Sequence, residues 1–348
     1  MRAVTVQPKV KGSVRCEEVP EPDPSTGSVL VEAVAVGVCG TDVEIAQGRY
    51  GWAPEGHDRL VLGHESLGRV VDPGSSNLSK GDLVVGIVRR PDPVPCPSCA
   101  VGEWDMCRNG RYTERGIKSI DGFMSQQWRI EPDYVTVLDP SLGLLGVLLE
   151  PTTVVTKAWE QVGAVGSRAF WEPRTCLVTG AGPIGLLAAM VGVQRGLEVH
   201  VLDQVDSGPK PELVKALGAT YHHGSALDVG FDPDVVIECT GVAQVIADVM
   251  RAVGSGGVVA LTGVGSGGRT TGLKLADVAT EMVLQNNVIV GSVNANRRHF
   301  YKAAHELTRA DRDWLARLVT RRVPPERIAE ALVKQPDDIK VVVDFTAG

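Results

Sequence analysis

The feature that most constrains this chain is a short apolar run, Thr175 to Thr179, that turns through Gly180-Ala181-Gly182-Pro183-Ile184-Gly185 into a helix-forming segment. G-x-G-x-x-G is weak as a bare pattern, but where a strand becomes a helix each glycine has a physical task. Gly180 permits the tight turn, Gly182 lets the backbone approach a pyrophosphate, and Gly185 lets the helix pack closely on the strand. The helix that starts at Pro183 and Ile184 presents free N–H groups to a phosphate at its amino end. The next buried run, Glu198 to Leu202, ends in Asp203, at about the 20-residue offset where a carboxylate takes the adenosine ribose hydroxyls. The expected ligand is a dinucleotide, against a glycine-rich turn that binds nothing.

Around this motif the chain has two styles. Up to about Glu150, short β-branched runs (Ser28 to Val38, Gly68 to Val71, Leu83 to Val88, Tyr134 to Val137) are cut by Gly, Pro and Asp, which reads as an irregular β-rich domain with long loops. Beyond Pro151, compact apolar runs at Val235 to Glu238, Gly257 to Thr262 and Val288 to Gly291 alternate with helical stretches. That alternation is the signature of a doubly wound parallel sheet. From about Asn296 the chain returns to helix and ends in an apolar run, Ile339 to Phe345, able to pair back into the first domain. The expected fold class is therefore α/β. A catalytic domain spans 1–152 and is completed by 296–348, and a dinucleotide-binding domain spans 153–295.

Composition narrows the partners. Lys and Arg number 35 against 42 Asp and Glu, a formal net charge of −7, which argues against nucleic acid and anionic lipid. The amino terminus lacks the apolar run of a signal peptide, and no stretch approaches the roughly 20 apolar residues of a membrane helix. Seven cysteines in 348 residues are too sparse and too odd in number for a disulfide scaffold. The expectation is a cytoplasmic protein with reduced thiols.

Two groups of thiols and acids suggest metals. Cys39, in Gly37-Val38-Cys39-Gly40-Thr41-Asp42, and His64-Glu65 emerge from two loops of the first domain, and Cys and His are the ligands that zinc prefers. Glu150, beside Pro151, is a further candidate for a site that keeps one position open to substrate. Cys96, Cys99 and Cys107 lie in a loop rich in Pro and Gly, and Asp92 is the best fourth ligand for a closed structural zinc. A lobe held by packing or a disulfide is the alternative. Cys16, Cys176 and Cys239 read as small buried apolar residues.

The order GVCGTD, LVLGHE, a cysteine-bearing lobe, LLEPTTV and GAGPIG resembles the zinc-dependent medium-chain dehydrogenase/reductase superfamily over essentially the whole chain. Val88-Arg89-Arg90-Pro91, Tyr112 to Lys118 with Gly122-Phe123-Met124, and Gly291 to Phe300 are similar to its glucose 1-dehydrogenase branch. The resemblance implies a GroES-like catalytic domain joined to a Rossmann domain. It implies Cys39, His64 and Glu150 as catalytic zinc ligands, with Glu65 bound directly or through water. It gives Thr41 the substrate proton, and Asp42 the orientation of the histidine. Glu114 and Asn296 match positions that hydrogen-bond the sugar, and Thr152-Thr153 with Asn294 fall near the nicotinamide.

This sequence departs from the family in three places. Asp92 stands where many relatives have the first lobe cysteine, no histidine after Asp42 matches the end of the alcohol dehydrogenase proton relay, and Gln204-Val205-Asp206-Ser207 lacks the arginines of NADP-using relatives. The implied reaction is hydride transfer from a sugar hydroxyl, C1 of a glucose-like aldose, to NAD, with NADP as the other cofactor, giving a lactone. A polyol, cyclitol or secondary alcohol dehydrogenase with the same zinc chemistry is the alternative within enzymes. A nucleotide-binding redox subunit without catalysis is the alternative outside them. Family members suggest a homodimer or homotetramer, for which the strand Val288 to Val290 offers an edge.

Overall fold

The computed structural model describes residues 1–265, 272 and 274–346. The chain divides into two compact units, Met1–Glu150 with Ala295–Gly348, and Pro151–Asn294. Together they make an α/β chain in which one unit is irregular and β-rich and the other is a doubly wound parallel sheet.

In the first unit the central strand is Val29–Val38, flanked antiparallel by Glu65–Asp72 on one side and by Lys340–Asp344 on the other. Leu83–Gly86 and Val135–Val137 extend the sheet past the first neighbour, and Val319–Val323 runs parallel to Lys340–Asp344 at the far side. The valines of VLVEAVAVGV suit a pleated, half-buried surface. Val29, Val31 and Val36 are fully buried in one cluster with Val4, Leu62, Phe123, Ile130 and Val343. Register then fixes chemistry: Gly37 lies opposite Glu65, and a Cβ on Gly37 would sit 1.9 Å from Glu65 Oε2. The glycine is the space that the carboxylate occupies. The carboxyl-terminal strand pairs back as its apolar pattern suggests, and it carries Lys340 into the same sheet.

In the second unit six parallel strands run in the order Thr220–His223, Glu198–Asp203, Thr175–Thr179, Val235–Glu238, Val258–Leu261 and Val288–Gly291. The order reverses beside Thr175–Thr179, the switch point outside which such sheets bind ligands. Cys176, Leu177 and Val178 are fully buried, as expected of a strand covered on both faces. Gly180 adopts φ +88°, and a Cβ on Gly185 would lie 1.7 Å from the Gly180 carbonyl oxygen, so both glycines are sterically required. Of the three isolated cysteines only Cys176 is buried; Cys16 and Cys239 are half-buried, so the apolar-core expectation holds for one of them. Among the described residues no helix is long and apolar enough to cross a membrane.

Candidate active site

The central strand of the first unit delivers Cys39 as the N-cap of a short helix, Gly40–Ala46. The cap is reciprocal: the Thr41 N–H donates to Cys39 Sγ at 3.3 Å, and the Cys39 N–H donates to Asp42 Oδ2 at 2.9 Å. Gly63, at φ +93°, makes the turn that presents His64, and a Cβ there would lie 2.5 Å from Met124 Cγ. These two turns place Cys39 Sγ 3.0 Å from His64 Nε2. Ligand atoms of Cys39, His64 and Glu65 all lie within 4.8 Å of one another.

Charge accumulates around this group. Asp42 is fully buried, and its Oδ1 lies 3.4 Å from His64 Nδ1, close enough for an ion pair but without hydrogen-bond geometry. Burial alone would lower the His64 pKa, yet the Cys39 sulfur and the Asp42 carboxylate outweigh it and hold the imidazole well above its usual value. Glu150 lies in the first turn of the helix Leu149–Gly166 and outside the compact triple. Burial pushes its carboxyl up to about 7, with Glu65 and Asp42 adding to the rise and His64 and Lys340 opposing it. Thr41 is half-buried beside the sulfur.

Sequence reasoning missed Lys340. Its ammonium is buried and donates to both Glu65 oxygens, at 2.7 and 2.5 Å, and to the Val38 carbonyl at 3.3 Å. The available signal was a lysine inside the apolar run Ile339 to Val343, a place where an unpaired charge is not tolerated.

The donor set fits a zinc ion. A tetrahedral zinc separates a thiolate and an imidazole ligand by about 3.5 Å, so Cys39 and His64 need part only slightly. The raised His64 pKa belongs to the metal-free pair, since metal binding takes the imidazole in its neutral form and displaces protons from its ligands.

The lobe is different. Cys96, Cys99 and Cys107 converge with sulfurs within 4.8 Å, and the Arg108 N–H donates to Cys96 Sγ at 3.3 Å. Asp92 is not part of the group: its carboxylate accepts from the Val94 N–H at 2.9 Å and from Asn109 Nδ2 at 2.8 Å. Asp92, expected as the fourth ligand of a closed site, lies outside the three-thiol group. Among the described residues the cluster offers three ligands where a structural zinc takes four.

Glu114 and Asn296 are both buried and both engaged. Arg89, stacked on the Tyr112 ring at 3.7 Å, donates from Nε and Nη2 to Glu114 Oε1 at 3.0 and 2.9 Å. Asn296 caps the helix Arg297–Arg309, its Oδ1 accepting from the Arg298 N–H at 3.1 Å.

In the second unit Gly182, Pro183 and Ile184 are half-buried at the start of the helix Pro183–Gln194. Asp203 Oδ2 accepts from the Ala181 N–H at 2.6 Å, and Lys210 Nζ approaches its two oxygens at 3.0 and 3.3 Å. Despite burial, these donors keep the Asp203 carboxyl below its ordinary pKa. Thr152 and Thr153 are fully buried, and Asn294 adopts φ +58° next to Val293, whose carbonyl accepts from Lys157 Nζ at 2.9 Å.

Residues 25–140 match the model of the alcohol dehydrogenase GroES-like domain, and residues 143–345 match that of the glucose dehydrogenase C-terminus. The glucose 1-dehydrogenase of Thermoproteus tenax is 42% identical, covering 99% of both chains. That of Methanocella arvoryzae is 37% identical over the full length of both. Among solved structures, a Haloferax mediterranei glucose dehydrogenase in complex with NADP, Zn and gluconolactone superposes with a TM-score of 0.92, at 34% identity and over all of both chains.

Proposed function

The chain belongs to the glucose dehydrogenase family of the medium-chain dehydrogenase/reductase superfamily, and from that membership we propose that it oxidises C1 of a glucose-like aldose to the lactone. The observation that carries this reading is the thiol, imidazole and carboxylate gathered at Cys39, His64 and Glu65, in a chain that aligns end to end with a zinc-dependent glucose dehydrogenase.

Cys39, His64 and Glu150 would hold the zinc, with Glu65 beside it. Bound there, the ion supplies Lewis acidity that brings a sugar hydroxyl within reach of ionisation near neutral pH. Bound at the glycine-rich turn, the dinucleotide supplies the hydride acceptor. Thr41 accepts the hydroxyl proton while passing its own on toward solvent, and C1 loses its hydrogen as hydride while the C1–O bond becomes a carbonyl. Lactone, reduced nicotinamide and one proton balance the equation. Asp42 steadies the His64 ring, Glu114 and Asn296 hold sugar hydroxyls, and Gly180, Gly182 and Gly185 admit the pyrophosphate. Thr153 and Asn294 orient the nicotinamide.

Asp203 accepts the ribose hydroxyls and sets like charge against a 2′-phosphate, while Lys210 offsets part of that charge. NAD is therefore favoured, by about tenfold in kcat/KM. The strand Val288–Gly291 ends the sheet order with half-exposed valines and isoleucine, which supports pairing with a second copy in a cytoplasmic dimer or tetramer.

The test is a panel of aldoses, polyols and simple alcohols, each with NAD and with NADP, with the product identified by mass spectrometry. Highest kcat/KM on an aldose with release of its lactone, and NAD ahead of NADP, is the expected result. A polyol or simple alcohol outrunning every aldose would overturn the substrate assignment, and NADP ahead would overturn the role given to Asp203.

A further inference from the structure

The lobe and the sugar-contact residues share one buried network. Asp105 lies in the turn Trp104–Met106, immediately before Cys107, and is 5% exposed. Its Oδ1 accepts from Asn296 Nδ2 at 2.7 Å, across 191 positions of sequence. Its backbone carbonyl accepts from Arg89 Nη1 at 3.2 Å, and Arg89 is the residue that grips Glu114. One residue of the lobe therefore touches, directly or through one guanidinium, both side chains assigned to the sugar. Nearby, Arg298 Nη1 donates to Glu103 Oε1 at 2.8 Å, so the same turn is fastened twice to the start of the helix Arg297–Arg309.

We infer that Asp105 is a positioning residue for sugar recognition, through which the three-thiol lobe sets the placement of Asn296 and of Glu114. The chemistry is that of an acceptor-only group. A carboxylate facing the amide forces the Asn296 NH2 toward Asp105, leaving Oδ1 toward the helix N–H groups it caps. The Arg298 N–H already holds Oδ1, so without Asp105 the amide keeps its orientation but loses the acceptor that tethers its Nδ2 side. The carboxylate and the helix N–H together pin both ends of the amide, and so set where its remaining N–H and lone pair meet a sugar hydroxyl. The lobe, on this account, serves substrate recognition as well as stability.

The inference rests on the reading of Glu114 and Asn296 as sugar contacts. Its test compares wild type with Asp105→Ala and Asp105→Asn in the full-length zinc-loaded protein. KM is measured separately for sugar and for dinucleotide, alongside zinc content and thermal midpoint. Asp105→Ala is expected to raise KM for the sugar about tenfold and to leave KM for the dinucleotide unchanged. Asp105→Asn keeps an oxygen that can accept from Asn296 Nδ2, and is expected to restore the sugar KM to within about threefold of wild type. Should the Ala variant not yield folded protein, Asp105→Ser, too short to reach Asn296, is read in the same way. An unchanged sugar KM, an equal rise in both KM values, or no rescue by Asn would overturn the inference. A wild-type protein that oxidises no sugar would instead overturn the proposed function on which it rests.

Discussion

Cys39→Ser loses sugar oxidation by at least about a thousandfold and still binds the dinucleotide with near wild-type affinity. The rate effect follows from the several kcal/mol that Lewis-acid stabilisation contributes to such a transition state, at about 1.4 kcal/mol per factor of ten. Serine is the informative replacement, because the Cys39 sulfur also caps the helix Gly40–Ala46 and serine caps well. The fold is thus left intact while the soft ligand is removed. Dinucleotide affinity survives because the glycine-rich turn and Asp203 belong to the other unit. Titration of cofactor fluorescence beside steady-state rates and zinc content checks both halves; retained turnover in zinc-free Cys39→Ser would refute the assignment.

Lys340→Met destabilises the protein by about 3–5 kcal/mol, measured by denaturant unfolding of the zinc-free chain at neutral pH. Removing one partner of a buried pair leaves the other charge unmatched, and Glu65 is 2% exposed. Burial opposes the Lys340 charge, but Glu65, Cys39 and Glu150 raise its pKa above the ordinary 10.5. A raised lysine contributes its stability fully below the unfolded pKa and loses it only as pH climbs through the folded one. The whole effect is therefore present at neutral pH. The double change Lys340→Met with Glu65→Gln recovers a large part of the loss, because it removes both charges together. A single-variant loss below about 1 kcal/mol would show that the pair is not the buried anchor described here.

Some of this was legible before the structure and some was not, for identifiable reasons. The glycine-rich turn was readable because steric necessity writes itself into sequence: Gly180 has positive φ, and Gly185 has no room for a Cβ. The apolar runs of the parallel sheet were readable because both faces are buried. Thr220–His223 escaped notice because TYHH carries no apolar pattern, although it pairs along Glu198–Asp203 at one end of the sheet. Cys39, His64 and Glu65 were readable as a local vocabulary, but Gly37 as the space for Glu65 depends on register across two strands. Lys340 and Asp105 act over 275 and 191 positions of sequence. Spacing rules cannot see such distances. Asp92 shows a related limit: proximity in sequence to three thiols made it a candidate ligand, while its carboxylate accepts from the Val94 N–H and from Asn109.

Removal and return of zinc tests the central claim most directly. Protein stripped with a chelator, and shown by elemental analysis to be metal-free, is assayed with glucose and NAD, then again after one equivalent of zinc is added. The account predicts that glucose-dependent reduction of the nicotinamide disappears on stripping and returns with zinc, and that dinucleotide binding persists throughout. Undiminished glucose oxidation by the metal-free protein would contradict it.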